Sequence, residues 1–309
     1  MWGGAPFFIT AESGPSFSSI ETLATTYPVN LSFPSCCEHN GEMIIAGGYV
    51  TEGVVTNATN KIGVDDTSWS SLAPLPTDRQ RYHAAFCKSP TAFYVLNGLQ
   101  NTTGLRTGTV SKYTFDTNTW SDLSTSGMVH TYGNAATYEN GLIYLTGGYD
   151  PYDVMFNTLR AYNPVAQYGT VLSYYADAAQ RALHVMAALD GYVYVALGIS
   201  STGSFLTSIY RWSIVGGSWE YYGESAIAKR NVGWCQDGEY LYCYGGLNSS
   251  LERTAELWRW HIPTNKWQML ANFIGYERYG SAVALLADGL HVVAGPSLAG
   301  SNNTHLLIT

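Results

Sequence analysis

Six short stretches of this chain say nearly the same thing. They are "EHNGEMIIAGG" at 38–48, "TAFYVLNG" at 91–98, "YENGLIYLTGG" at 138–148, "LDGYVYVALG" at 189–198, "QDGEYLYCYGG" at 236–246 and "ADGLHVVAG" at 287–295. Their closing glycines, Gly48, Gly98, Gly148, Gly198, Gly246 and Gly295, recur at steps of 48 to 50 residues. A period of that size marks stacked copies of one supersecondary unit that cannot bury its apolar faces alone.

Each unit opens with an apolar run and a turn such as Asn140-Gly141, Asp190-Gly191 or Asp237-Gly238. Those dipeptides suit a two-residue hairpin, because both central residues tolerate positive φ. An alternating strand rich in Tyr, Val, Ile and Leu follows and ends on glycine, then a variable loop, then a third strand ("KYTFD", "IYRWS", "LWRWH"). A fourth strand is headed by Trp69, Trp120, Tyr168, Trp219 or Trp267. Sheets of four antiparallel strands at this period close radially around a channel. The pattern therefore predicts an all-β, six-bladed β-propeller of four-stranded antiparallel blades filling residues 1–309. Blade boundaries fall at about 31–80, 81–130, 131–180, 181–229, 230–277 and 278–309 plus 1–28.

The last unit lacks its aromatic fourth strand. "SFSSIETLATTYP" at 16–28 aligns with "SWSSLAPLPTDRQ" at 68–80 and sets Phe17 opposite Trp69, so the N-terminal segment is expected to complete the last blade and close the ring. Both "FFIT" at 7–10 and "HLLIT" at 305–309 suit that blade's third strand.

The double glycine after the second strand, with the order aromatic, Asp, short turn, Trp in "YTFDTNTWSDL" (113–123) and "IGVDDTSWSSLAPLP" (62–76), resembles the kelch family over essentially the whole chain. The resemblance implies a rigid propeller, and in kelch adaptors arginines at the start of the inner strand grip carboxylates of partner peptides. Here Arg81, Thr131, Arg181, Arg230 and Arg278 stand just before the first strand of successive units. Radial symmetry would bring them to one mouth of the channel, where a guanidinium offers a bidentate fork to a carboxylate, phosphate or acidic sugar. The competing expectation is that they serve blade-to-blade architecture. Tyr82, Tyr132 and Tyr279 follow three of these positions, and Tyr49, Tyr149 and Tyr152 lie at the starts of the variable loops. Tyr supplies apolar area with a polar tip at low entropic cost. The binding candidates are thus Arg81, Tyr82, Arg181, Arg230, Arg278, Tyr279, Tyr49 and Tyr149.

Net charge is −8 and only five lysines are present, without any block of like charge. That disfavours nucleic acid and anionic membrane as partners. The N-terminus has no basic and apolar leader, and the most apolar window, 281–300, is cut by Asp288-Gly289 into two strands, so neither a signal peptide nor a membrane span is expected. A virion or cytoplasmic location fits. The Asn-x-Ser/Thr sites at Asn30, Asn57, Asn101, Asn248 and Asn302 are then turn chemistry rather than glycan acceptors.

Cys36, Cys37, Cys87, Cys235 and Cys243 show no zinc spacing and are expected to be free, buried and inert. There is no HExxH, CxxC, Gly-x-Ser-x-Gly or Walker loop, so no catalytic residue, metal or cofactor is expected, and His83 and His184 are expected to be buried, hydrogen-bonded core histidines. The expectation is a non-catalytic recognition or assembly protein that binds a protein or glycan partner, including other subunits of a large assembly. A composition poor in Lys and Glu and rich in Gly, Ser, Thr, Asn and Tyr is similar to that of phage tail, fibre and decoration proteins. The alternatives are an intracellular kelch adaptor for an acidic peptide, and a sugar-processing enzyme resembling sialic-acid mutarotases.

Overall fold

The computed structural model describes residues 15–50, 54–100, 105–174, 180–297 and 302–309. Among them there is no helix, and six four-stranded antiparallel sheets stand as blades around a channel. The innermost strands are Ser35–His39, Ala85–Lys88, Ala135–Glu139, Val185–Leu189, Gly233–Asp237 and Ala282–Leu286, and each continues through a tight turn into the second strand of its blade. At those turns Asn140, Gly141, Asp190 and Gly191 all have positive φ, as a type I′ hairpin requires.

The core lies between blades rather than within one. Val185 and Tyr194 of blade 4 pack on Leu241 and Trp260 of blade 5, and Ala85 and Leu96 of blade 2 pack on Ile143 and Tyr162 of blade 3. The valine, leucine and isoleucine side chains among them contribute about 1.5–3 kcal/mol each when fully buried, but only if the neighbour blade is present. This makes the ring a cooperative unit.

A second tie runs through the backbone. Phe33, His83, Gly133, Leu183, Asn231 and Gly280 hold equivalent places just before the inner strands, and all six have positive φ. Each N–H donates to the carbonyl of its counterpart in the preceding blade: His83 to Phe33 (3.3 Å), Gly133 to His83 (3.0 Å), Leu183 to Gly133 (2.7 Å), Asn231 to Leu183 (3.2 Å) and Gly280 to Asn231 (2.8 Å). Phe33 to Gly280 (2.8 Å) closes the circle. Left-handed backbone costs a non-glycine residue about 1–2 kcal/mol, so Phe33, His83 and Leu183 are held there by the girdle.

The last blade is completed from the other end of the chain. Its sheet runs Ala282–Leu286, Gly289–Val293, His305–Ile308 and then Ile20–Thr22, with Ile20 opposite Ile308 and Thr22 opposite Leu306. Residues 305–308 therefore supply the third strand; residues 7–10 lie outside the described residues. A buried polar chain crosses this joint: Thr25 Oγ1 meets His305 Nδ1 (3.0 Å), His305 Nε2 meets His291 Nδ1 (2.7 Å), and His291 Nε2 meets Asp288 (2.8 Å).

The ladder corrects two aromatic alignments. Trp120, Trp219 and Trp267 face Tyr113, Trp212 and Trp260 across the strand pair. The corresponding partner of Tyr162 is Gly169, not Tyr168, which pairs with Asn163 and is 54% exposed. A side chain at Gly169 would crowd Gly127, whose neighbour Ser126 accepts the Gly169 N–H (2.8 Å); the incoming segment 126–128 takes the room a tryptophan fills elsewhere. Likewise the residue opposite Ile308 is Ile20, while Phe17 is buried three positions earlier, edge-on to Tyr242 of blade 5 (5.9 Å).

Loop asparagines serve their turns. Asn248 Oδ1 accepts the N–H of Ser250 (3.0 Å) and Glu252 (2.9 Å), Asn302 Oδ1 that of Thr304 (2.7 Å), and Asn57 donates to the Leu75 carbonyl (2.9 Å). Asn101 lies outside the described residues.

Candidate functional site

Three of the four arginines expected at the mouth are buried inside their own blades. Arg81, Arg181 and Arg278 are 1%, 0% and 2% exposed. Each donates to the carbonyl sixteen residues on: Asn97 (3.4 Å), Leu197 (3.3 Å) and Ala294 (3.2 Å). Arg81 and Arg181 also reach Thr109 O (3.2 Å), just before the third strand, and Ser208 O (3.0 Å), its first residue. They clamp the end of the second strand to the start of the third, where the variable loop interrupts the ladder.

In blade 5 the clamp is Lys229, not Arg230. Lys229 Nζ reaches Gly245 O (3.3 Å), Thr254 Oγ1 (2.8 Å) and Glu256 Oε2 (2.6 Å). The clamp residue always lies seventeen positions before the closing glycine, as in Arg81 to Gly98, Arg181 to Gly198, Arg278 to Gly295 and Lys229 to Gly246, so counting back from Gly246 finds it. Arg230 is one residue later and shares the position of Tyr82, Tyr132 and Tyr279, on the mouth side of the clamp.

That mouth, where the inner strands begin, is built from a small ribbon in each blade. Tyr82 bridges Leu99, Tyr132 bridges Tyr149 and Arg230 bridges Leu247; the returning loop adds Arg106, Met155, Phe205 and Arg253. Aromatic rings and guanidiniums alternate around it. Arg106 lies over Tyr132 (5.0 Å), Arg230 over Phe205 (5.7 Å) and Arg253 over Tyr279 (5.5 Å), each pair crossing a blade junction. Tyr49 and Tyr82 are in contact (5.1 Å), as are Tyr132 and Tyr149 (5.3 Å), and Phe33 stacks on His83 (3.7 Å).

Arg106 is ion-paired with Asp153, which also accepts from the Tyr132 hydroxyl (3.3 Å). The Nε atoms of Arg230 and Arg253 are buried without a hydrogen-bond partner. Burial first, then the charge of Arg230, holds His83 down at about 3, so its imidazole is neutral. At Tyr149 burial raises the phenol and Arg230 works against it. The structure thus assembles Arg230, Tyr82, Tyr132, Tyr279, Tyr49 and Tyr149 at one mouth and adds Phe33, His83, Phe205 and Arg253. Tyr152, 85% exposed, stands outside this cluster. The added residues carried no motif; the signal for them was equivalence of position within the repeat.

Behind the mouth the channel is divided. Phe86 of blade 2 and Trp234 of blade 5 stack across it, centroids 5.5 Å apart and planes 21° apart. On the girdle side lies a chamber of about 80 Å³ that includes Asn134 and His184. Both are more than nine-tenths buried, and neither the Asn134 carboxamide nor either His184 ring nitrogen has a hydrogen-bond partner. His184 therefore departs from the expected hydrogen-bonded core histidine; burial, then Arg181, holds it neutral, well below the ordinary value. On the turn side lies a larger chamber of about 430 Å³. All five cysteines are free.

A family model described as Kelch motif matches residues 229–274, the whole of blade 5 with its lysine clamp. A myxoma virus (strain Lausanne) protein described as Kelch repeat protein M-T8 is 27% identical over 242 residues. That match covers 77% of this chain and 44% of the viral protein, so the chain spans less than half of that relative's length. Blade 5 thus carries a kelch motif, and it is one of six blades built on the same four-stranded ladder.

Proposed function

We propose that this kelch propeller is a non-catalytic recognition and assembly protein whose girdle-side mouth takes a protein partner by an acidic group. The observation that carries this reading is the state of Arg230 and Arg253: each lies against an aromatic ring with its Nε buried and unpartnered, inside a circle of half-buried tyrosines. Arg and Tyr are the residues that supply most binding energy at protein interfaces. A carboxylate meeting a partly desolvated guanidinium gains about 1.5–3 kcal/mol. The likeness to a viral kelch-repeat protein supports a virus-encoded setting, and a composition that resembles that of virion surface proteins supports a place on or in the particle.

The test uses the full chain and a glutamate-rich peptide in calorimetry. The expected result is binding that weakens as salt rises and is lost in Arg230→Ala/Arg253→Ala while the melting temperature holds. Binding that ignores both arginines would overturn the reading. Mass spectrometry of purified particles tests the virion placement, and absence of the chain from them would refute it.

A further inference from the structure

The second chamber, on the far side of the Phe86–Trp234 stack, belongs to no part of the mouth described above. It opens where the hairpin turns lie, beside Lys88, Asp237 and Gly238, all exposed. Its volume of about 430 Å³ falls in the range of small-ligand cavities.

Two of the polar side chains around it are committed to neighbouring groups. Lys88 is ion-paired with Glu38 and also donates to the Glu38 carbonyl (2.6 Å). Gln236 donates to Ala188 O (2.8 Å) and Gly238 O (3.0 Å) and accepts the Ala188 N–H (3.3 Å), tying blade 4 to blade 5. None of the buried side-chain polar atoms without a partner belongs to a residue lining this chamber, whereas the girdle-side chamber has four, on Asn134 and His184.

Its apolar lining includes both rings of the stack and the sulfurs of Cys37, Cys87 and Cys235. Burial keeps the Cys37, Cys87 and Cys235 thiols protonated, Cys235 up at about 12, so they present neutral, polarizable surface. Sulfur against a ring edge and ring against ring are both favourable contacts. We propose that this chamber is a binding site for a single aromatic ring system, seated on Phe86 and Trp234 and edged by Cys37, Cys87 and Cys235. The ring comes either from a free small molecule or from an aromatic side chain of a partner.

Saturation-transfer NMR on the full chain, with indole and with the tripeptide Gly-Trp-Gly as probes, separates the two sources. Saturable binding of indole alone indicates a free molecule, and binding of both indicates a side chain. Trp234→Phe should keep indole binding and Trp234→Leu should lose about tenfold, the upper range for one aromatic stack. Should Trp234→Leu not fold, Phe86→Leu makes the same test from the other blade. Wild-type protein that shows no saturable binding of either probe overturns the proposal, as does affinity that is unchanged by loss of a stacking ring. The outcome is independent of Arg230 and Arg253, so failure of the mouth reading leaves it standing.

Discussion

Phe86 and Trp234 meet face to face across the channel although they belong to opposite blades, 2 and 5, with ring planes only 21° apart. In a six-membered ring opposite blades touch nowhere else but at the centre, so this stack is a strut as well as a partition. It separates a chamber that offers unpartnered donors and acceptors from one that offers rings and thiols.

Its energetic signature is a coupling. In a double-mutant cycle of Phe86→Ala and Trp234→Ala, urea denaturation should return an interaction of about 0.5–1.5 kcal/mol. Each single change should cost less than Trp260→Ala, which empties a site only 1% exposed and should lose about 3–5 kcal/mol. Strict additivity of the two would show that the rings do not bear on one another.

The clamp and the mouth arginine should separate cleanly. Arg81→Ala leaves the buried Asn97 carbonyl and Ser111 hydroxyl without their guanidinium donor, while Thr109 O keeps the Asn97 N–H (2.9 Å), and should cost about 3 kcal/mol. Arg230→Ala, on a half-buried side chain with an unpartnered Nε, should cost under about 1 kcal/mol. Thermal melting of both variants checks the contrast, and equal losses would place Arg230 back among the architectural residues.

Acid should weaken the fold through its desolvated imidazoles. His305, desolvated and beside His291, is held down at about 4, and His83 at about 3. The unfolded chain takes up these protons near pH 6.5, so below that pH it binds more protons than the folded ring and stability falls as pH drops. For His305 alone the loss accumulates between pH 6.5 and 4 to about 3 kcal/mol. His305→Gln should flatten the melting temperature over that window, and an unchanged slope would remove His305 as its source.

Closure by the chain ends should be worth more than its three residue pairs suggest. Removing residues 1–26 strips Ile20–Thr22 from the last sheet and leaves His305–Ile308, a buried apolar strand, as an open edge. Such edges pair with other chains. The truncated protein should melt at clearly lower temperature and form dimers or larger species in light scattering. A monomer with unchanged melting would mean that the joint contributes little.

The chain's repeat period, its strands and their turns were legible without coordinates, because Asn-Gly and Asp-Gly turns and alternating apolar strands are local properties that each unit states for itself. The need for an N-terminal strand was legible too, since the sixth unit visibly lacks one. Which of 7–10 and 305–309 lies beside it was not, because both are short apolar runs and only ladder register distinguishes them. The same holds for Arg230 and Lys229, and for Tyr168 and Gly169. The two candidates in each pair differ by one position, and in a strand one position reverses the face. Pattern therefore determined what each unit is, while hydrogen-bond register decided which side chain faces the mouth and which is sealed in the blade. The girdle and the Phe86–Trp234 stack lay further still beyond the sequence, because they join residues from different blades that meet only when the whole ring has closed to one radius.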